Sequence, residues 1–448
     1  MHYIFQLFLV VLCISMFLVS RPMKFGLLLI AGICIYEYHV NLGIETFRDV
    51  TGSVTLLPLF FFTSELNSFN VLSKKCRFPI LYAILFLGVL YTLFSIYVSP
   101  HMGTGIKYFI TSIVCRYLLP FYAFFCLEKK RDIFLVYKIA FLCVIVMTFF
   151  GGINLVSKHS VYVDWLFEGE AVGAYMENLG SKFTDSDRFR VQATFSNPFD
   201  YGYTCIALLL FFLYGYSKKY ITPKTMAVVA GCTLFGIISC NCRTVLLCFI
   251  IGLLLYFACS MKGSRYLTIL VMLLPVLLVV FNIVPQLRDR FEFVSSMFED
   301  DSHGITGSTM SMRAIQLASV MGYVMGHEFT GRGVGFFSKE LSFSEGGVDQ
   351  TLGGLEGSYL LTLLETGIIG TILYFSIIIV IMMWAWVKKN SHREPSSFLF
   401  ALFSVFLIFG LLTGELRSAY ITFLLAGISF HEILSPGSHK KRIDSVKK

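Results

Sequence analysis

Apolar residues in this chain fall in long blocks separated by short polar breaks, without the residue-by-residue alternation of an outer-membrane barrel strand. A helix needs about 20 such residues to cross roughly 30 Å of hydrocarbon. Blocks of that order lie at 2–20, 24–41, 53–69, 80–98, 108–127, 133–156, 201–216, 226–238, 244–260, 266–284, 359–387, 398–413 and 419–433. They predict an all-α polytopic membrane protein with about twelve or thirteen transmembrane helices. Two long polar interruptions remain, one after residue 156 and one after residue 284.

Composition agrees with the pattern. Of 448 residues 56% are apolar and 14% charged, and the mean hydropathy is +0.74, which leaves too little polar surface to solvate a globule of this size. The net charge of +8 gathers in short loops: Arg21 and Lys24, Lys74, Lys75 and Arg77, Lys129 to Arg131, Lys218, Lys219 and Lys224, Lys262 and Arg265, Lys388, Lys389 and Arg393. Those loops alternate along the spans, as expected when lysine and arginine hold them in the cytoplasm. The basic charge is therefore topological, and no nucleic-acid partner is expected. The rule puts the C-terminus inside and both long loops outside. Six segments result: N-terminal helices 1–156, a first extracytoplasmic loop 157–199, central helices 200–284, a second extracytoplasmic loop 285–356, C-terminal helices 357–434 and a basic cytoplasmic tail 435–448. The N-terminal apolar block has neither a basic start nor a small-residue cleavage site, and reads as a span.

Several motifs carry little. The twelve cysteines all lie in or beside spans, where they act as small core residues, and "CNC" at 240–242 lacks a second pair at zinc spacing, so no metal site is expected. Asp185 and Asp187 have the spacing of a soluble metal-nucleotide-sugar site but fall in an outside loop, away from nucleotide sugars. Gly331, Gly333 and Gly335 in "GRGVGFF" lack the strand and lysine of a nucleotide loop, and serve close backbone approach or a turn.

Arginines carry more, because a guanidinium at hydrocarbon depth is costly unless it faces the interior and finds a partner. Arg116 stands mid-span in "SIVCRYLLPFY", Arg188 and Arg190 precede "ATFSNP", Arg243 occupies the turn of "SCNCRTVLL", and Arg313 opens "SMRAIQLASVMGYVMG". Arg417 beside Glu415 reads as an ion pair. Arg190, Arg243 and Arg313 share the outer side although far apart in sequence. Planar, permanently charged forks match phosphate oxygens bidentately, which points to a lipid-linked phosphate or pyrophosphate. In 311–326, Met312, Ile315, Ala318, Val320 and Met321 are spaced for a face lying on the membrane, which would keep Arg313 at phosphate depth as a cap over an acceptor groove.

The stretches "RVQATFSNPFDYG", "SCNCRTVLLCFIIG", "STMSMRAIQLA…GRGVGFF" and "EGSYLLTLLETGIIGTILYF" resemble, in order and spacing, the bacterial O-antigen ligase and polymerase superfamily over residues 188–376. The resemblance implies a GT-C-type glycosyltransferase of the bacterial plasma membrane. Its donor would be a glycan on undecaprenyl pyrophosphate, its acceptor a growing lipid-linked glycan, its surroundings membrane lipids, with a chain-length regulator as a further partner and no cofactor. Ligases of the superfamily carry a His-Asn pair where this chain has Glu356 and Gly357, which favours a polymerase of O-antigen or capsule repeats over a lipid A core ligase.

Displacing pyrophosphate from an anomeric carbon needs no general acid, but the growing negative charge must be held, a role for the arginines. The incoming hydroxyl benefits from a base. Glu356 is the first candidate and His327, in "MGHEFTGRG", the second. Two alternatives stay open, an O-antigen ligase transferring the glycan to lipid A core or another acceptor, and a lipid-linked oligosaccharide flippase or transporter. Against the transporter stand the lack of an internal repeat and the gathering of charge at the outer face.

Overall fold

The computed structural model describes residues 2–35, 39–40, 50–51, 56, 59–60, 63, 79–110, 113–114, 127, 130–166, 189–261, 310–341, 355, 357–413 and 419–434. In chain order the first helices are α1 (His2–Leu18), α2 (Arg21–Cys34), α3 (Pro79–Val98), α4 (Met102–Tyr108), α5 (Lys130–Ser157) and α6 (Val161–Leu166). They are followed by α7 (Pro198–Ser217), α8 (Pro223–Ser239), α9 (Arg243–Ser260), α10 (Met310–Val324), α11 (Ser358–Lys388), α12 (Arg393–Leu412) and α13 (Ala419–Leu434). A π-helical turn spans Phe337–Leu341, and one two-residue antiparallel ladder pairs His39 with Thr51 and Val40 with Val50. The protein is an all-α membrane protein. Among the described residues, five helices are long and apolar enough to cross a bilayer: Arg131–Ser157, Pro198–Ser217, Arg243–Ser260, Ser358–Lys388 and Arg393–Leu412. Shorter apolar helices fill other predicted spans. Those at 53–69, 108–127 and 266–284 fall largely outside the described residues. The block 24–41 stops early, at Cys34, because Glu37 and His39 interrupt its apolar run.

The core forms around α7, which packs on α5, α8, α9, α12 and α13. Lipid tails are as apolar as leucine, so helices in a bilayer associate through close packing and hydrogen bonds. Accordingly Tyr201, Tyr203, Phe211, Phe212 and Tyr214 of α7 are fully buried. Tyr137 stacks on Phe211 with centroids 4.2 Å apart, Tyr214 stacks on Phe398 at 5.3 Å, and the Tyr203 and Thr422 hydroxyls meet at 2.7 Å. The helix starts are written locally. Asn197 Oδ1 accepts the Phe199 N–H at 2.9 Å and Pro198 supplies a fixed φ at the first position, while Thr222 and Pro223 do the same for α8.

Antiparallel packing sorts the helix ends into two layers. At one, Lys218 pairs with Glu432 (3.2 Å) and Glu394 (3.6 Å), the Tyr220 hydroxyl donates to Glu432 (2.5 Å), and Arg393 Nε donates to the Cys259 carbonyl (3.3 Å). This lysine end joins the C-termini of α7, α9 and α13 to the N-terminus of α12. The opposite, arginine end holds the start of α7, the α8–α9 turn, the start of α11 and the last turn of α12.

Candidate functional site

Residues 190–197 are not helical, yet residues 191–196 are buried. Irregular backbone at membrane depth is tolerated only where protein covers it or it lines a cavity, because each peptide group must find a partner. Here the partners are specific. Val191 N–H donates to the Ser239 carbonyl at 3.2 Å and Phe195 N–H to that of Gln192 at 3.0 Å. Asn154 of α5, fully buried, accepts the Ala193 N–H at 3.1 Å when its amide is oriented to suit its neighbours, and Ala193 takes φ 52°. The loop is thereby laid on the α8–α9 turn. Arg190 comes within electrostatic reach of the Cys242 thiol, and Cys242 is the residue that precedes α9. The next residue is Arg243, buried at the first position of the helix. Two arginines separated by about fifty residues of sequence thus meet at one turn.

The electrostatic sign of this place is unusual. A helix N-terminus carries roughly half a positive charge, so a cation there is disfavoured by about 0.3–1 kcal/mol. Arg243 nevertheless opens α9, whose first turn has no acid, and the N-termini of α7, α11 and α13 open on the same end. Asp200, buried in the first turn of α7, is a carboxylate at this end.

Arg313 reaches the same end from α10. It is 7% exposed, and its Nη2 donates to the Leu412 carbonyl at 2.8 Å, in the last turn of α12. One turn earlier on α12, Phe409 packs edge-on against Phe199 and Tyr203 of α7. Val320 of α10 differs from the face expected for it: it is buried with Val324 against Leu360 and Leu364 of α11, on the side that also buries Arg313 and Gln316. Ile315 and Met321 are exposed, as a membrane-lying face requires. His327 is exposed on the turn after α10, a helix length or about 20 Å from Arg313. Glu328 beside it accepts the Gly326 N–H at 2.8 Å, which holds its carboxyl below the ordinary range. Glu356, Arg188, Arg116 and the Arg417–Glu415 pair lie outside the described residues.

A buried carboxylate escapes the sequence reading above. Glu365 lies in the apolar run "LLTLLETGIIG" of α11 and is 6% exposed. Its Oε1 accepts the Gly335 N–H at 3.0 Å and the Phe337 N–H at 3.3 Å, and its carbonyl accepts the Gly333 N–H at 2.9 Å. The signal was present: a carboxylate inside an apolar span is a site by default. The glycines explain how the loop fits. α11 breaks at Gly367, with φ 65° and ψ −168°, a conformation open only to glycine. A Cβ on Gly331 would stand 2.5 Å from the Glu365 carbonyl and the Gly367 nitrogen, so the two backbones touch. Tyr91 of α3 closes the joint, donating to the Phe329 and Thr366 carbonyls, each at 2.9 Å.

Below that joint a crevice runs between α3 and α11, from Ser358, Thr362, Glu365 and Thr366 past Gly88 and Tyr374 to Ile381 and Phe423. Its walls are mainly apolar, and Ser358, Thr362, Glu365 and Thr366 line it toward the start of α11. Ser358 ties that part of the crevice to the arginine end, since its hydroxyl donates to the Gly410 carbonyl at 2.9 Å, two residues from the Leu412 carbonyl that holds Arg313. The arginines themselves are not among the lining residues. Among the described residues there is no group of three or more His, Cys, Asp or Glu side chains placed to hold a metal ion.

Residues 225–375 match the family model described as O-antigen ligase (Wzy_C), which supports the resemblance to the O-antigen ligase and polymerase superfamily over that stretch. The matched residues run from α8 to the middle of α11, and so include Arg243, Arg313, the glycine loop and Glu365. No curated protein matches the chain significantly.

Proposed function

We propose, on the premise of that family match over residues 225–375, that the chain is a glycosyltransferase that polymerises lipid-linked repeat units of O-antigen or capsule. The donor is a glycan on undecaprenyl pyrophosphate. The observation that carries the reading is the arginine end. Arg190 and Arg243 meet at one turn, Arg313 docks on the neighbouring helix end, and several helix N-termini open on the same layer. Such positive potential suits an oligo-anion held by bidentate forks and backbone N–H groups. The positive-inside rule applied to Lys218, Lys388 and their neighbours puts the lysine end in the cytoplasm, hence the arginine end at the outer leaflet. The apolar crevice beside α3 fits the polyprenyl chain, whose pyrophosphate would leave at Ser358 toward Arg313.

In the reaction the acceptor hydroxyl oxygen attacks the anomeric carbon of the donor glycan. The carbon–oxygen bond to pyrophosphate breaks, undecaprenyl pyrophosphate departs as the anion, and the hydroxyl proton passes to a base. The arginines act by holding the charge that grows on the leaving group, in a geometry set before the reaction begins. Glu356 and Gly357, in place of the ligase His-Asn pair, favour a second lipid-linked repeat as acceptor.

Reconstituted full-length protein supplied with one undecaprenyl-pyrophosphate-linked repeat tests this directly. A polymerase gives a ladder of longer glycans from that substrate alone. Product only on addition of lipid A core or another acceptor would make it a ligase, and movement across the bilayer without lengthening would make it a transporter. The crevice has its own test. Gly88 lines it, and a Cβ there would sit 3.7 Å from Ile377 Cδ1. Gly88→Trp is expected to raise the apparent KM for the lipid-linked donor by about tenfold, or about 1.4 kcal/mol of binding, with the same yield of folded protein. An unchanged KM would take the polyprenyl chain out of this crevice.

A further inference from the structure

We propose that Glu365 is a positioning residue for the arginine end, acting through the glycine loop and Arg332 on α10 and so on Arg313. The inference rests on the reading of Arg313 as part of an anion site. A carboxylate buried in an apolar helix is costly unless its oxygens are satisfied, and Glu365 is satisfied by the loop it faces. One oxygen accepts both the Gly335 and Phe337 N–H groups. Both donors are main-chain groups of one loop, so the role the geometry fits is holding that backbone in place.

What it holds is a lever. Arg332 is locked in the loop by its N–H to the Leu364 carbonyl at 2.9 Å, and its Nε donates to the Tyr323 carbonyl at 2.6 Å, in the last turn of α10. A basic side chain on those final carbonyls is a favourable C-terminal cap. Val320 and Val324 press the same helix onto Leu360 and Leu364. α10 is therefore clamped at its C-terminal end by Arg332 and ends, in its first turn, at Arg313 on Leu412. Loosening the clamp frees the helix to pivot, and the guanidinium moves with it.

The experiment measures undecaprenyl pyrophosphate binding to the purified full-length chain in nanodiscs, per unit of monodisperse protein. Glu365→Ala is expected to weaken binding about tenfold. Glu365→Gln keeps an oxygen to accept both N–H groups and should stay within about threefold of the parent. Arg332→Met, which leaves the carboxylate untouched, should repeat most of the alanine loss, and the double variant should add little to it. Glu365→Gln binding as poorly as Glu365→Ala would overturn the proposal, because the charge itself would then be what matters. Parental binding by both Glu365→Ala and Arg332→Met would also overturn it, provided Arg313→Ala loses binding. If Arg313→Ala binds as the parent does, it is the anion-site reading that fails. Should Glu365→Ala not fold, Arg332→Met decides, with parental binding overturning the proposal and a tenfold loss supporting it.

Discussion

Lysine in place of Arg190 is expected to lower glycan lengthening by roughly 100-fold, the scale on which one preorganised donor to a developing anion acts, although the charge is kept. Arg190 sits in a buried, irregular loop fixed by Asn154, Ser239 and the Asn197 cap, so its position is set by backbone that does not move with the substitution. A lysine there offers a strongly hydrated point charge on a flexible stem in place of a planar fork, and cannot span two oxygens of a pyrophosphate. Both donor binding and leaving-group stabilisation should fall, so the apparent KM rises while kcat drops. Arg243→Lys should act in the same direction, because Arg243 is buried beside it at the start of α9. The measurement is the rate of lengthening of a lipid-linked repeat by reconstituted protein, with folded yield checked by gel filtration. If Arg190→Lys and Arg243→Lys both lengthen glycan at the parental rate, the guanidiniums at this turn serve packing and the pyrophosphate lies elsewhere.

Where the helices start and stop was largely legible, because hydrocarbon imposes a length and Asn-Pro and Thr-Pro announce the starts of α7 and α8. The burial of Arg243 was legible too, since a charge inside "SCNCRTVLL" must turn to the protein and find a partner there, whether an ion pair or a ligand. The joint at Gly367 was not. It depends on two glycines separated by thirty-six positions approaching until their backbones touch, and on Glu365 accepting N–H groups from a loop that precedes it. Sequence shows a carboxylate in an apolar run, but periodicity cannot reveal that its partners are main-chain. Val320 was misassigned for a related reason. The spacing of Ile315, Val320 and Met321 fits one broad face, whereas the helix buries Arg313, Gln316, Val320 and Val324 together and leaves Ile315 and Met321 outside. A polar arginine and glutamine on the buried side invert the usual assumption that the apolar stripe faces the protein.

Glu356→Gln is expected to reduce lengthening by about 100-fold or more, the ordinary contribution of a general base, while lipid-linked donor still binds. Glutamine retains the shape and hydrogen-bonding capacity but cannot take the proton from the attacking hydroxyl. The case rests on the residues that flank position 356. Gly357 precedes the first residue of α11 with φ 105°, and a Cβ on it would lie 3.5 Å from the Leu411 carbonyl. Ser358 donates to Gly410. Gly357 and Ser358 therefore stand at the end of α12, where Arg313 docks on Leu412, in the layer assigned to the leaving group. His327, the other candidate, is exposed on the turn after α10, about a helix length along it from Arg313, and His327→Ala is expected to leave lengthening within about threefold of the parent, the scale of a surface substitution. Donor-binding and lengthening assays on the same preparations separate the cases. Parental lengthening by Glu356→Gln at equal folded yield would remove Glu356 as the base, and a 100-fold loss in His327→Ala with donor binding intact would transfer the role to histidine. If neither variant slows the reaction, no dedicated base is required, and stabilisation of the departing pyrophosphate by the arginine end must account for the rate.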